Sequence, residues 1–434
     1  MSYTQSKDER IDKKIDRDLS IVCEEILKVI KPVSIILFGG FGRGEGSAQV
    51  NGNEVVLSKD YDTLLVVKRR IQPSVIYQMS ENIHRRLGRT NPLDSITMEM
   101  GSGVSLVQYT LNDLRYFRDA KTYEIKAASK LLWGEDIRDK IPVKAEDLSP
   151  WNGIRFLFRK PSGLCAALYT TKFLKEPPQG EERKAIIHDC HRVYLDAGVL
   201  LTVLAKQYRP TYSERAQVIK QSLNSSLPAL AVKIPDLAEK IAFVTDFKLF
   251  PGEEKYSAIE PIRLWFETRK DLGIILRYFM EHHLGEKAEG WAELFEKYNA
   301  RMNREFVDEL AYFYLKKRFR VASKPLPRLA NIAYQRLFCL KYFLKLRKEA
   351  GTLHWKALKT FPHFKVCTAT AMLMFSLNED GSLDRDLFDS FTKSMSQIYP
   401  VKIHSTTDAE MWAEGVDCAI RADRVFLDTF YGWG

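Results

Sequence analysis

The sequence predicts an α/β head followed by a large helical body. Three observations carry the prediction. Two compact apolar runs, Val33–Phe38 and Tyr61–Val67, are rich in β-branched residues; a glycine cluster follows the first at once; and helical periodicity dominates beyond Pro150. At 434 residues the chain exceeds the size at which one core stops growing, so roughly two or three domains are expected. The composition shift places the boundaries at 1–149, 150–320 and 321–434.

Ile11, Ile15, Leu19, Cys23, Ile26 and Ile30 recur at helical spacing, so residues 8–30 read as an amphipathic helix that Lys31-Pro32 stops. Val33–Phe38 is a buried strand running into a loop. Asn51-Gly52, followed by Val55-Val56-Leu57, suggests a small hairpin or excursion within residues 50–58. Tyr61–Val67 is the second buried strand. Pro73 opens a helix to about Leu87, with Gly88 as its stop. Ser95–Met100 alternates polar and apolar, and Val104–Tyr109 is expected to pair with it across Gly101-Ser102-Gly103. Residues 111–132 read as helical up to Trp133-Gly134. In the body, Thr211 with Glu214 three residues later has the form of a capping box and starts another helix.

Hydrophobic residues make up 45% and charged residues 28%, which excludes a disordered chain. The charged N-terminus has no apolar signal-peptide region, and the most apolar stretches, Val193–Ala205 and Val366–Phe375, are too short to span a bilayer. A soluble, cytoplasmic protein without a membrane partner is expected. Six scattered cysteines with no C-x-x-C pair argue against a zinc site or a disulfide framework and suit buried thiols. The net charge of +10 favours polyanionic partners: nucleotides, nucleic acid or phosphorylated substrates. The densest basic zone, Lys316 to Arg347, reads as a solvated face over buried aromatics, with an RNA track as the alternative.

The chemistry concentrates between Ser34 and Val67. Gly39-Gly40-Phe41-Gly42-Arg43-Gly44-Glu45-Gly46 puts five glycines into eight residues, so backbone amides can approach phosphate oxygens closely. Arg43 adds a forked positive charge suited to phosphate. Asp60 and Asp62, two apart on a strand, project to one side. Paired carboxylates repel, and a hard divalent cation such as Mg2+ stabilises them together with substrate phosphates. A phosphate-cradling loop facing such a pair is a site for phosphoryl or nucleotidyl transfer.

The run Leu37-Phe38-Gly39-Gly40-Phe41-Gly42-Arg43-Gly44-Glu45, with Asp60-Tyr61-Asp62-Thr63-Leu64-Leu65-Val66-Val67, resembles the signature of the DNA polymerase β nucleotidyltransferase superfamily. Its wording is closest to the uridylyltransferase domain of the nitrogen-regulatory protein and to aminoglycoside-type nucleotidyltransferases. Lys130-Leu131-Leu132-Trp133-Gly134-Glu135-Asp136 resembles an element that follows the catalytic sheet in the aminoglycoside-type group. The resemblance covers about residues 33–136; the spacer between Gly40 and Asp60 is longer than the pattern usually has, with Val50–Lys59 inserted. It implies an α+β nucleotidyltransferase-fold head with a mixed β-sheet ahead of an all-α C-terminal region whose first part closes the substrate cleft. It further implies that Gly39 and Gly40, with Arg43 and Gly44, hold the nucleotide, and that Asp60 and Asp62 bind Mg2+.

The resembled family has a third carboxylate on a neighbouring strand. In residues 94–100 the polar row Ser95, Thr97 and Glu99 faces away from the apolar row, which selects Glu99 over Asp94 as the third metal ligand. The expected reaction moves a nucleoside monophosphate from an NTP to an acceptor hydroxyl or phosphate on a small molecule and releases pyrophosphate. The alternatives are an RNA 3′-end nucleotidyltransferase and a catalytically silent, antitoxin-like nucleotide-binding protein. His188-Asp189-Cys190-His191 and His282-His283 read as ordinary polar helix positions rather than metal ligands. Arg183 and His188 match an R-x4-H spacing of helical ribonuclease domains, which chance explains. Tyr208–Arg215 (YRPTYSER) resembles a segment after aminoglycoside-type heads and reads as a helix–turn–helix corner.

Overall fold

The computed structural model describes residues 2–6, 8–52, 54–57, 59–89, 103–117, 119–169, 177–302, 305, 325–351 and 354–431. They form a mostly helical protein with one small mixed sheet. The chain divides into two compact units. The first comprises Met1–Gly153, Gly198–Pro228 and Asp236–Lys255; the second comprises Ile154–Ala197, Ala229–Pro235 and Tyr256–Gly434. The break expected at 149/150 is therefore only the first of several crossings, because the chain returns to the head twice. The break expected at 320/321 lies outside the described residues.

In the first unit, helix α1 (Glu9–Val29) leads to strand β1 (Ser34–Phe38) and the short helical turn α2 (Gly39–Gly42). The hairpin β2 (Ala48–Asn51) and β3 (Glu54–Leu57) follows, then β4 (Tyr61–Val67), α3 (Pro73–Leu87) and β5 (Val104–Thr110). Two short helices, α4 (Leu111–Tyr116) and α5 (Ala120–Ala128), precede β6 (Lys130–Gly134). The sheet order is β5-β4-β1-β6, with β1 antiparallel to both β4 and β6, and β4 parallel to β5.

Ile11, Ile15, Leu19, Val22 and Ile26 of α1 pack on Ile35 and Leu37 of β1 and on Tyr61, Leu65 and Val67 of β4. Ile36, Leu64 and Val66 on the opposite face are fully buried too. Cover on both faces explains why these strands read as unbroken apolar runs. The inserted segment folds as the expected hairpin, with Val50 opposite Val55. Pro73 opens α3 and Gly88 closes it in the left-handed conformation.

One expectation is corrected. Residues 111–132 are not one helix: α4 and α5 are separate, and Lys130–Gly134 is a strand whose Leu131 sits opposite Ile36. A short apolar run is ambiguous until a partner strand fixes it. Val104–Thr110 pairs in parallel with β4, and the strand expected to face it, 95–100, lies outside the described residues.

The first unit is completed by the helix Tyr212–Ser226, which the Thr211 capping box starts as expected, and by Leu237–Leu249 packed against it. In the second unit Pro362–Ser376 packs against Lys160–Tyr169, Arg385–Met395 and Asp408–Tyr431. Val366, Ala369, Ala371, Leu373 and Met374 along it are fully buried, so its apolarity is that of a central core helix. Among the described residues no helix is long and apolar enough to cross a membrane. In Pro325–Ala350, Phe338, Tyr342, Phe343 and Leu346 are buried as expected, yet Leu337, Leu340 and Leu344 are exposed.

Candidate active site

Phe38, the last residue of β1, lies opposite Asp62, the second residue of β4. Antiparallel register therefore brings the glycine bend beside the carboxylates, although 21 residues of sequence separate Gly40 from Asp62. Gly39 takes a φ of 66°, and a side chain on it would collide with Asp62 Oδ2. Only glycine serves here, for its backbone conformation and for the closeness of the carboxylate. Asp60 stands just before β4, where its Oδ1 accepts a hydrogen bond from the Gly103 amide at 3.0 Å.

Burial pushes the Asp62 carboxyl up to about 6; the Lys121 ammonium opposes this, the Asp60 carboxylate adds to it, and Arg43 and Glu124 act as smaller opposite influences. A carboxylate pressed toward protonation by burial and by a second acid is what a divalent cation would relieve, since it pairs with both charges. The donor set is thus suited to Mg2+. Among the described residues no group of three or more metal-ligating side chains occurs. Glu99, the expected third ligand, and its alternative Asp94 lie outside the described residues.

The far half of the bend is committed to the protein itself. The amides of Arg43, Gly44, Glu45 and Gly46 donate to the carbonyls of Gly39, Phe41, Gly40 and Tyr3 at 3.1, 3.3, 2.8 and 3.0 Å. The Gly44 carbonyl accepts from Gln5 Nε2 at 3.1 Å, and Lys130 Nζ donates to the carbonyls of Ser2 and Phe41 at 2.6 and 3.3 Å. Any amide nest for phosphate must therefore be drawn from residues 39–42. The Arg43 side chain is only 6% exposed; its Nη1 donates to Glu124 Oε2 at 2.6 Å, and its Nε lies 3.7 Å from Glu45 Oε2. The structure brings Gly39, Gly40, Asp60 and Asp62 to one mouth. It turns Arg43 and the Gly44 amide inward, so they act on that mouth only through the protein.

No family model, no curated protein and no solved structure matches this chain. The site rests on its own geometry.

Several polar residues at this site escaped the sequence reading. Lys121 and Glu124 lie three apart on α5, the spacing that shares a helix face, and that spacing was the available signal. Lys121 Nζ sits 4.7 Å from the centre of the Phe38 ring, at the end of β1. Glu45, Tyr208 and Arg215 join through contacts far apart in sequence, which no local pattern reveals. Of the other motifs, Arg183 donates to the carbonyls of Tyr256 and Ser257 at 3.1 and 3.0 Å, a structural use of the R-x4-H arginine. His191 is buried and burial pushes it down to about 4, so it is neutral in neutral solution. Five of the six cysteines are buried, Cys23 being half-buried, and all are free thiols.

Proposed function

We propose that the first unit is a Mg2+-dependent nucleotidyltransferase that moves a nucleoside monophosphate from an NTP to an acceptor hydroxyl or phosphate. The observation that carries this reading is the Asp62 carboxylate pressed against Gly39, with Asp60 beside it, at the point where β1 gives way to the bend. Asp60 and Asp62 would hold the cation, which when bound supplies Lewis acidity and charge neutralisation at the phosphates.

The chain's own residues do the rest. Gly39 lets the backbone of the bend lie directly against the Asp62 carboxylate, and Lys121 supplies a fixed positive charge beside Asp62. The Gly103 amide orients Asp60. In the transfer, the acceptor oxygen bonds to the α-phosphorus while the bridge to the β-phosphate breaks. Pyrophosphate leaves with that electron pair and the acceptor's proton passes to solvent. A small-molecule acceptor fits the resemblance to the aminoglycoside-type heads.

The test is thermal unfolding with Mg2+ and each of the four NTPs in turn. Ligand at about 100 times its dissociation constant should stabilise the wild type by roughly 2.7 kcal/mol. The pair Asp60→Ala with Asp62→Ala should abolish the metal-dependent rise. If no NTP raises the midpoint in a metal-dependent way, the enzyme reading fails. Radiolabelled NTP in cell extract then reports whether label reaches a metabolite, protein or RNA.

A further inference from the structure

A lattice of buried charge lies behind the glycine bend, and the proposed chemistry makes no direct use of it. Glu124 Oε2 accepts from Arg43, while its Oε1 accepts from Tyr208 Oη at 2.6 Å and from Arg215 Nη1 at 3.1 Å. Arg215 also donates to the Tyr208 hydroxyl and to the carbonyls of Arg209 and Pro210 at 3.2, 3.0 and 3.1 Å. Glu45, on the other flank, accepts from the amides of Tyr212 and Ser213 at 2.7 and 2.9 Å and from Ser213 Oγ at 2.8 Å. The Tyr212 ring lies under both guanidiniums, 4.9 Å from Arg43 and 4.7 Å from Arg215. Two arginines and two glutamates balance in charge, and three of the four side chains are at least nine-tenths buried.

Burying such a set costs more than packing apolar side chains in its place, and ionic groups of this kind are best attested where they fix one arrangement against others. Here the thing fixed is the bend: Arg43 and Glu45 are the residues on either side of Gly44, and each is tied to the Tyr208–Arg215 corner. We infer that Glu124 is a positioning residue, and that through Arg43 it makes the Tyr208–Arg215 corner a brace holding the Gly39–Gly46 bend in its nucleotide-receiving form. The inference rests on the proposed nucleotidyltransferase reading. It gives YRPTYSER a role in which no side chain of the corner touches nucleotide.

Two variants and two measurements test it. Glu124→Gln removes the charge that pairs with Arg43 and Arg215. Tyr208→Phe removes the hydroxyl's two hydrogen bonds, to Glu124 and from Arg215, and keeps the ring and every charge, so it should fold even if the first variant does not. Loss of these buried hydrogen bonds should speed amide exchange at Arg43–Gly46 by at least about tenfold in Tyr208→Phe, with β1 and β4 unchanged. Glu124→Gln should exchange faster still. Titration with Mg2+ and each NTP should show weakening of at least about tenfold in Glu124→Gln, while Mn2+ alone binds within about threefold of wild type, because both aspartates remain. Wild-type exchange and wild-type NTP affinity in both variants would overturn the brace and leave the function standing. A wild-type protein that binds no NTP would remove the function and this role with it.

Discussion

Folding raises the Asp62 carboxyl to about 6 from an ordinary value of 3.8, so the folded chain holds that proton more tightly than the unfolded chain does. The favourable contribution is complete below pH 3.8 and is lost as pH rises through about 6, so the metal-free protein pays for an ionised Asp62 at neutral pH. At roughly 1.4 kcal/mol per unit the ceiling is near 3 kcal/mol, and a smaller figure, about 1–2 kcal/mol, suits a side chain that solvent still reaches. Asp62→Asn is therefore expected to unfold at a higher temperature than wild type at pH 8 in chelator, with the gap closing toward pH 4. Mg2+ should narrow the gap at pH 8 by stabilising wild type alone. Midpoints recorded across pH with and without metal decide it; a variant less stable than wild type at pH 8 would show that Asp62 is not held against its own ionisation.

At the scale of elements, the start of the helix Tyr212–Ser226 is capped twice. Thr211 Oγ1 accepts from the Glu214 amide at 3.2 Å, as its sequence spacing announced. Glu45 takes the amides of Tyr212 and Ser213, which nothing local announced. Thr211→Ala should therefore cost only about 0.5–1 kcal/mol, the low end for a lost cap. Glu45→Ala leaves two amides and a buried guanidinium short of a partner and should cost about 3–5 kcal/mol. Urea denaturation of the two variants gives the comparison, and equal losses would mean that Glu45 adds nothing to the cap. The same contrast measures what sequence can say. The ranges of α1, β1, β4 and α3 were legible because periodicity, a proline start and a glycine stop are local facts. The apposition of Gly39 and Asp62 was legible because strand, bend and strand come in order. Lys130–Leu132 reads as the end of a helix in the sequence because a short apolar run becomes a strand only when β1 lies beside it. Arg43 reads as a phosphate ligand in the sequence because an arginine next to glycines looks the same whether its partner is a ligand or Glu124, which lies far along the chain.

For the whole molecule, the division of the chain carries the consequence that composition hides. A fragment ending at residue 149 contains the sheet, the bend and both aspartates, and by the composition shift it should be a domain. It lacks Gly198–Pro228 and Asp236–Lys255, which belong to the same compact unit. Without them Glu45 loses the helix start that it caps, and Ser47 Oγ loses the Lys248 carbonyl that it reaches at 2.8 Å. Glu124 would keep Arg43 but lose Arg215 and Tyr208. Buried charges left half-paired are strongly destabilising. The fragment is expected to show helix and strand by far-UV circular dichroism yet to melt without a cooperative transition, to bind a hydrophobic dye, and to give no Mg2+-dependent shift with any NTP. A fragment ending at residue 255 retains every segment of the first unit and should unfold more cooperatively than the shorter one. If the 149-residue piece instead unfolds in one sharp transition and responds to Mg2+ and NTP as the full chain does, then the returning helices are dispensable and the bend holds its shape without them.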